Sequence, residues 1–348
     1  MRQLNGGIFH KLNITNPNYK CTAGELREKI NNTEYSSNIM NIFARLRGTQ
    51  VYWSRVRNDI NCMMYEYGLV TWFITFSPGE WINELITADP VSSSIYIYHT
   101  FKATLAYILS PDNPIAHVAH YYYTCEFQGR SMPHYHCLFW IKDAPIYGTS
   151  TNQEVSEFTL RYVTCRIPNR KTSPELYRRV MNYQQHKHNS YCMRSKKTST
   201  GITKNCRFRF PRPITETLVL RSIETSIANR RKQKRKNRFY DLPRGKEEYA
   251  TNDYMPSLLI LWEGNMDAQY ISESSLVISK YISKYGTKGE KGSSEVDISD
   301  IQSNKSLVSR LWSFALRVLN HRECGALEAA CTLLNIPLHE TDRKTRVR

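Results

Sequence analysis

The sequence lacks any long apolar run, since no stretch reaches the roughly 18 residues that a membrane-spanning helix needs. Its first residues, MRQLNGGIFHKLNIT, also lack the apolar core of a signal peptide. We therefore expect neither a membrane span nor secretion. Without secretion, the nine irregularly spaced cysteines favour reduced thiols or metal ligands over a framework of disulfides.

Acidic residues are scarce relative to basic ones. The chain has 31 Asp and Glu against 48 Lys and Arg, which gives a formal net charge of +17. This balance favours a polyanionic partner such as nucleic acid, although a merely basic or ribosomal-type protein would share it. With 348 residues, of which 41% are hydrophobic, the chain can build one large domain or two modest ones. We find no internal repeat.

The spacing of apolar residues predicts an α+β fold with a mostly antiparallel sheet. Helices are expected within 22–66 (23–30, 39–47 and 53–65), and at 81–87, 98–109, 276–285 and 307–335. Strands are expected at 70–76, 119–128 and 133–141, and 257–262 begins either a strand or a helix. The linker between the second and third strands is short enough for a hairpin. Residues 148–206 are polar and show little periodicity.

A His-x-His pair in the third predicted strand is the sharpest local signal. His134 and His136 should point to the same side, because side chains alternate along a strand. Across the hairpin, Glu126 or Gln128 could face them, and such a mixed set of oxygen and nitrogen ligands accepts manganese, magnesium or zinc. Pro133 should begin its strand or lie on an edge. The alternative is two ordinary histidines on a half-exposed strand.

Two tyrosines share one face of the helix predicted at 276–285. Tyr281 and Tyr285 are four residues apart, one turn of helix, so both could reach one phosphate. Lys280 and Lys284 lie beside them. The same spacing also fits a plain buried stripe.

A second group of metal-ligating residues lies in the polar region. His186, His188, Cys192 and Cys206 make a tetrahedral zinc set, although the spacing is not that of a standard zinc finger. The alternative is a loose polar loop. Farther on, the basic run NRRKQKRKNR at 229–238 could serve nuclear import, contact DNA or form a solvated loop.

Several of these motifs occur together, in the same order, in one known family. The chain resembles the Helitron helicase-like N-terminal domain, of the HUH endonuclease superfamily, from about residue 39 to 338. The segments that carry the resemblance are IMNIFARLRGTQVYW, FITFSPGEW, CEFQGRSMPHYHCLFW, WEGNMDAQ, YISKY and RECGALEAACTLLNIPL.

The resemblance implies a fold and a division of the chain. The fold would be an HUH-endonuclease core, with a ferredoxin- or RRM-like antiparallel sheet flanked by helices and with helical additions at both ends. A helical segment would span 1–66, and the nuclease core 67–291 would include a polar insertion at 148–250. A second helical segment would span 305–348.

The resemblance also implies a chemistry. His134 and His136 would bind a divalent metal, Mg²⁺ or Mn²⁺, with Glu126 rather than Gln128 as the third ligand. Tyr281 would attack DNA and form a 5′-phosphotyrosine, while Tyr285 would serve a second strand or the return transfer. The reaction would be nicking and strand transfer in rolling-circle transposition.

The expected partner is single-stranded DNA in a nuclear setting. Arg130, Lys280, Lys284 and Lys288 are the candidate DNA contacts. This chain contains no G-x-x-x-x-G-K-[ST] motif, so a helicase would come from another chain or from a missing C-terminal region. The alternatives are a silent, domesticated or truncated DNA-binding module and a structural protein organised by zinc at 186–206.

Overall fold

A computed structural model describes residues 50–79, 88–128, 132–190, 192–198, 201–221, 239–272 and 325–342. The chain divides into one compact unit of residues 1–55 and 289–323 and another of residues 56–288 and 324–348. Nearly all described residues belong to the second unit. Within the described ranges no helix is long and apolar enough to cross a membrane.

The described residues form six α-helices and nine strands. The helices are α1 (Gln50–Tyr67), α2 (Pro90–Ile108), α3 (Asn152–Tyr162), α4 (Pro174–Arg179), α5 (Pro256–Leu261) and α6 (Ala326–Leu333). The strands are β1 (Trp72–Pro78), β2 (Val118–Gln128), β3 (Met132–Ile141), β4 (Met193–Thr198), β5 (Gly201–Cys206), β6 (Val219–Leu220), β7 (Tyr240–Asp241), β8 (Gly264–Tyr270) and β9 (His339–Thr341). A π-helical turn, Val180–Gln184, follows α4, and a 3₁₀ turn spans Lys246–Glu248.

Five strands form one sheet in the order β8-β1-β3-β2-β9, and every neighbouring pair is antiparallel. The predicted α+β class with a mostly antiparallel sheet is therefore confirmed. The predicted strands at 70–76, 119–128 and 133–141 correspond to β1, β2 and β3. Pro133 is the second residue of β3, close to the predicted strand start.

Two strands of this sheet were not predicted. Polar residues alternate in β8 (GNMDAQY), which weakens its apolar signal, and β9 has only three residues. The segment at 257–262 forms a helix, because Pro256 occupies the first helical turn. Of the helix predicted at 307–335, the described part is Ala326–Leu333.

Helix α2 begins eight residues before the predicted start at residue 98. The carboxylate of Asp89 accepts hydrogen bonds from the backbone N–H groups of Val91 and Ser92, both at 3.0 Å, and Pro90 follows at the first helical position. This N-cap fixes the start of the helix independently of apolar spacing. Ile97, Phe101 and Leu105 form its buried stripe.

One face of the sheet carries the main hydrophobic core. Alternate residues of each strand, among them Trp72 and Ile74 in β1 and Cys137 and Phe139 in β3, point into it. The ring of Phe101 stacks on Tyr135 at 3.7 Å between centroids, so α2 packs directly on the centre of the sheet. The residues between them in sequence must then point to the opposite face.

The region predicted as a polar stretch without periodicity at 148–206 is ordered by local capping. Thr151 and Glu154 form a capping box at the start of α3, and Val155 and Thr159 are its only buried residues. Val155, Phe158 and Tyr162 pack on the core and form its short apolar stripe. Polar hydrogen bonds of the capping box fix where the helix begins.

A buried arginine cross-links the segment 244–253, which precedes β8, through hydrogen bonds. The guanidinium of Arg244 donates to the carbonyls of Glu248 and Thr251, each at 2.6 Å, and to the carboxylate of Asp253 at 2.8 Å. Arg244 and Asp253 are each only 3% exposed. A buried pair of this kind cannot lose one partner without leaving a charge uncompensated.

We expect Arg244→Ala to lower the free energy of unfolding by about 3–5 kcal/mol, because the Asp253 carboxylate would remain buried without its guanidinium. Urea unfolding measures the effect. Arg178→Ala is the matched control, since Arg178 pairs with Glu175 on the surface and its side chain is 51% exposed. Exposed pairs contribute about 1 kcal/mol at most. Equal losses in the two variants would contradict the prediction.

Candidate metal centre on the sheet

The second face of the sheet collects polar side chains in two rows that cross four strands. The strand register and the contact of Ser77 with His134 give the rows as Asn265, Ser77, His134 and Glu126, followed by Asp267, Thr75, His136 and Thr124. Paired residues of antiparallel strands have side chains on the same side. The face that holds the histidines is thus opposite the hydrophobic core.

Glu126 and His136 are in direct contact. Oε2 of Glu126 lies 3.0 Å from Nε2 of His136, and the two residues are only 7% and 6% exposed. His134 is directly opposite Glu126 in the β2–β3 register, whereas Gln128 is opposite Met132. The structure therefore brings Glu126 into contact with His136 and opposite His134 in the register, whereas Gln128 is paired with Met132.

Both imidazoles are oriented by hydroxyl groups of β1. Nδ1 of His134 lies 2.7 Å from Oγ of Ser77, and Nδ1 of His136 lies 3.0 Å from Oγ1 of Thr75. The ring of Phe73 also stacks against His136, with centroids 5.9 Å apart. Hydrogen bonding at Nδ1 fixes ring orientation and leaves Nε2 as the atom suited to coordinate a metal.

The position of Ser77 is itself fixed by β8. The indole N–H of Trp262 donates to the Ser77 carbonyl at 3.1 Å. Gly264 approaches the same carbonyl so closely that a Cβ there would fall within 3.0 Å of it, nearer than real Cβ atoms come. A glycine at this position therefore lets β8 and β1 meet where Ser77 supports His134.

The donor set fits a hard or borderline divalent cation. Ligands at right angles in an octahedral Mg²⁺ shell, each about 2.0–2.1 Å from the metal, are about 3.0 Å apart. The Glu126–His136 separation of 3.0 Å has this value. A nearly buried carboxylate beside an imidazole also supplies the charge that a cation needs. Of the predicted ligands, Glu126 and His136 are in contact, and His134 is placed opposite Glu126 by the strand register.

Three polar residues of β8 complete the face and were not predicted as site residues. Asn265, Asp267 and Gln269 alternate along β8, and Asp267 is directly opposite Thr75. The alternation of these residues in WEGNMDAQ was the available signal, because period two places them all on one side of a strand. Asp267 adds a second carboxylate to the face, hydrogen-bonded to Gln269 at 2.6 Å.

The remaining predicted site residues fall into two groups. Tyr281, Tyr285, Arg130, Lys280, Lys284 and Lys288 lie outside the described residues. By contrast, the four residues of the predicted zinc set are brought together: the ligand atoms of His186, His188, Cys192 and Cys206 all lie within 4.8 Å of one another. Burial, followed by the nearby charges of His188 and Arg212, lowers the pKa of His186.

Comparison with known proteins agrees with the sequence motifs. Residues 9–139 match the family model described as the Helitron helicase-like domain at N-terminus. This range includes Glu126, His134 and His136 and ends before the tyrosine pair. No curated protein matches the chain. Residues 9–139, which include the His-x-His strand, are therefore similar to the Helitron helicase-like N-terminal domains.

Proposed function

We propose that this chain is a metal-dependent single-stranded DNA endonuclease and strand transferase of rolling-circle, Helitron-type transposition. The observation that carries the proposal is the contact between Glu126 and His136 on the polar face of the sheet, with His134 beside them. The family match over the same strands supports it. The core would be of the HUH type, in which such a face binds the scissile phosphate.

The chemistry divides between the sheet and the tyrosines. A divalent cation held by Glu126, His134 and His136 would polarise the non-bridging oxygens of the scissile phosphate. Ser77 and Thr75 keep the imidazoles oriented, so little reorganisation is needed when DNA binds. A tyrosine hydroxyl, with an ordinary pKa of about 10, must lose its proton to become a nucleophile.

We assign the attack to Tyr281. Its phenolic oxygen would form a bond to phosphorus as the bond from phosphorus to the 3′ oxygen breaks, and that oxygen would leave as a free 3′-OH after gaining a proton. The 5′-phosphotyrosine preserves the energy of the broken ester, which permits rejoining without ATP. Tyr285, one helical turn away in the predicted helix, would accept a second strand or return the transfer.

The proposed substrate is single-stranded DNA, and the charge of +17 supports a polyanion. Arg130, Lys280, Lys284 and Lys288 remain the proposed contacts to its backbone. A helicase from another chain or from a longer form of this protein would supply the strand, and the setting would be the nucleus.

Replacing both tyrosines by phenylalanine (Tyr281→Phe with Tyr285→Phe) should abolish the covalent adduct. Wild-type protein incubated with a labelled single-stranded oligonucleotide and Mn²⁺ or Mg²⁺ should form a species that survives denaturing gel electrophoresis. The double variant keeps the rings and loses only the hydroxyls. Persistence of the adduct in the variant would refute the assignment of the nucleophile.

The same assay separates an enzyme from a silent module. If wild-type protein binds the oligonucleotide but forms no adduct with any divalent ion, the chain is a DNA-binding module and the proposal fails. Binding measured by fluorescence anisotropy at several salt concentrations gives the comparison, because contacts to phosphates weaken steeply with salt.

Glu126→Gln and His134→Ala should each reduce metal-stimulated nicking by at least about 100-fold, since removing one preorganised electrostatic group from an active site costs about that much. DNA affinity should stay unchanged in both variants, because neither residue is a proposed DNA contact. His99→Ala, which alters an exposed histidine of α2, is the control and should nick normally. Normal nicking by Glu126→Gln would exclude a metal role for this carboxylate.

Ser77→Ala should weaken Mn²⁺ binding by about 10–100-fold, because loss of a hydroxyl that orients a ligating histidine usually has this effect. Nicking should recover at saturating Mn²⁺, since the ligands themselves remain. Calorimetric titration measures the affinity. Ser156→Ala is the control, because that hydroxyl only caps a carbonyl of its own helix. Equal affinities in the two variants would show that Ser77 does not position His134.

A further inference from the structure

Four side chains outside the sheet converge on one point. Sγ of Cys192 lies 3.6 Å from Nδ1 of His188, and Sγ of Cys206 lies 3.4 Å from Nε2 of His186. All four ligand atoms lie within 4.8 Å of one another. In a tetrahedral zinc site with bonds of about 2.0–2.3 Å, neighbouring ligand atoms are roughly 3.3–3.8 Å apart. The two measured distances fall in this range.

The surrounding structure holds two of the ligands, His186 and Cys192, in place. The backbone N–H of His186 donates to the carbonyl of Ala250 at 2.8 Å, and its ring stacks on Phe210 with centroids 4.4 Å apart. The backbone N–H of Asn189 donates to Sγ of Cys192 at 3.2 Å, the kind of contact that supports a metal-bound thiolate. The ligands therefore come from a prepared turn rather than from a loose loop.

The two cysteines close the base of a hairpin. Strand β4 begins one residue after Cys192, β5 ends at Cys206, and Met193 is paired with Cys206 in the register. Both cysteines are free thiols, so a disulfide does not account for their approach. A bound ion would cross-link the hairpin to the turn that carries the histidines.

We propose that His186, His188, Cys192 and Cys206 form a structural zinc site that fixes the base of the β4–β5 hairpin to the turn that carries the two histidines. Two thiolates and two imidazoles fill a tetrahedral shell and leave no position for substrate, which distinguishes a structural zinc from a catalytic one. The soft sulfur donors select zinc over magnesium or manganese. This inference does not depend on nicking activity.

The segment that leads into the two histidines is connected to the polar face of the sheet through β8. The side-chain amide of Asn265, which lies on that face, donates to the carbonyl of Tyr183 at 2.6 Å, three residues before His186. The backbone N–H of Asn252 donates to the carbonyl of Gln184 at 2.7 Å, and its side chain donates to the carbonyl of Met266. The segment 183–188, which ends in the two histidines and which we call the zinc turn, is thus anchored on the edge strand of the sheet.

The segment 186–215, which contains the histidines and the hairpin, is strongly cationic. Between residues 186 and 215 there is no Asp or Glu, and the basic residues are Lys187, Arg194, Lys196, Lys197, Lys204, Arg207, Arg209 and Arg212. Arg194 and Lys204 of the hairpin are exposed. Mutual repulsion would favour an open, fluctuating arm in the absence of a cross-link. A zinc ion at the base of the hairpin would offset this repulsion.

The test measures metal in the full chain, purified without a metal-binding tag. We expect one zinc per chain by mass spectrometry. Exchange for Co²⁺ should give visible absorption typical of tetrahedral cobalt, together with a charge-transfer band from thiolate to cobalt. The sheet site contains no thiolate, so this band reports only on the cysteine site. His134→Ala should therefore leave both zinc content and the band unchanged.

Cys192→Ser and Cys206→Ser should each lose the zinc and the band, whereas Cys62→Ser, which alters an exposed cysteine, should keep both. Cys206→His guards against simple misfolding, since it should retain the metal with a weaker charge-transfer band. Removal of zinc should also accelerate tryptic cleavage at Arg194 and Lys204. Absence of zinc, zinc retained in both serine variants, or an unchanged rate of cleavage would overturn the proposal.

Discussion

The register between β2 and β3 is the constraint on which the candidate metal centre depends. Tyr135, Cys137 and Phe139 must face the core, and the stacking of Tyr135 on Phe101 holds the strand to α2. Because side chains alternate, the histidines between and before these residues must then face the other side. A slip of one residue would bury both imidazoles in the core and expose the aromatic rings. The packing of the hydrophobic face thus determines which side chains lie together on the polar face. The contact between Glu126 and His136 is one result of this arrangement.

The parts of the fold that were predictable from the sequence are those in which one local pattern dominates. The apolar and aromatic strands β1 to β3 and the position of the histidines follow from period-two alternation, and the choice of Glu126 over Gln128 required the family resemblance. Strand β8 was not predicted, because three of its seven residues are polar. These residues are polar because they line the candidate site. The start of α2 was not predicted, because the N-cap of Asp89 determines it and an apolar stripe does not. The support of His134 by Ser77 depends on pairing between distant segments, which no local pattern contains.

The two clusters of ligands differ in the chemistry that they suit. Glu126 with two imidazoles leaves coordination positions for phosphate oxygens or water, and oxygen ligands favour exchangeable ions such as Mg²⁺ and Mn²⁺. The two cysteines and two histidines of the proposed zinc site would fill a tetrahedral shell completely. The proposed sheet site would thus leave room for a substrate, and the proposed zinc site would serve rigidity.

Strand β8 connects these two sites physically. Its apolar residues, Met266 and Ala268, belong to the core, so the strand cannot shift without disturbing the packing. Its polar residues face the histidine strand from across β1, and its edge binds the turn that leads to His186. Three consecutive contacts lead from Tyr183 to Asn265, from Asn265 to Ser77 and from Ser77 to His134. Strand β8 therefore lies between the segment that leads into His186 and the candidate metal centre.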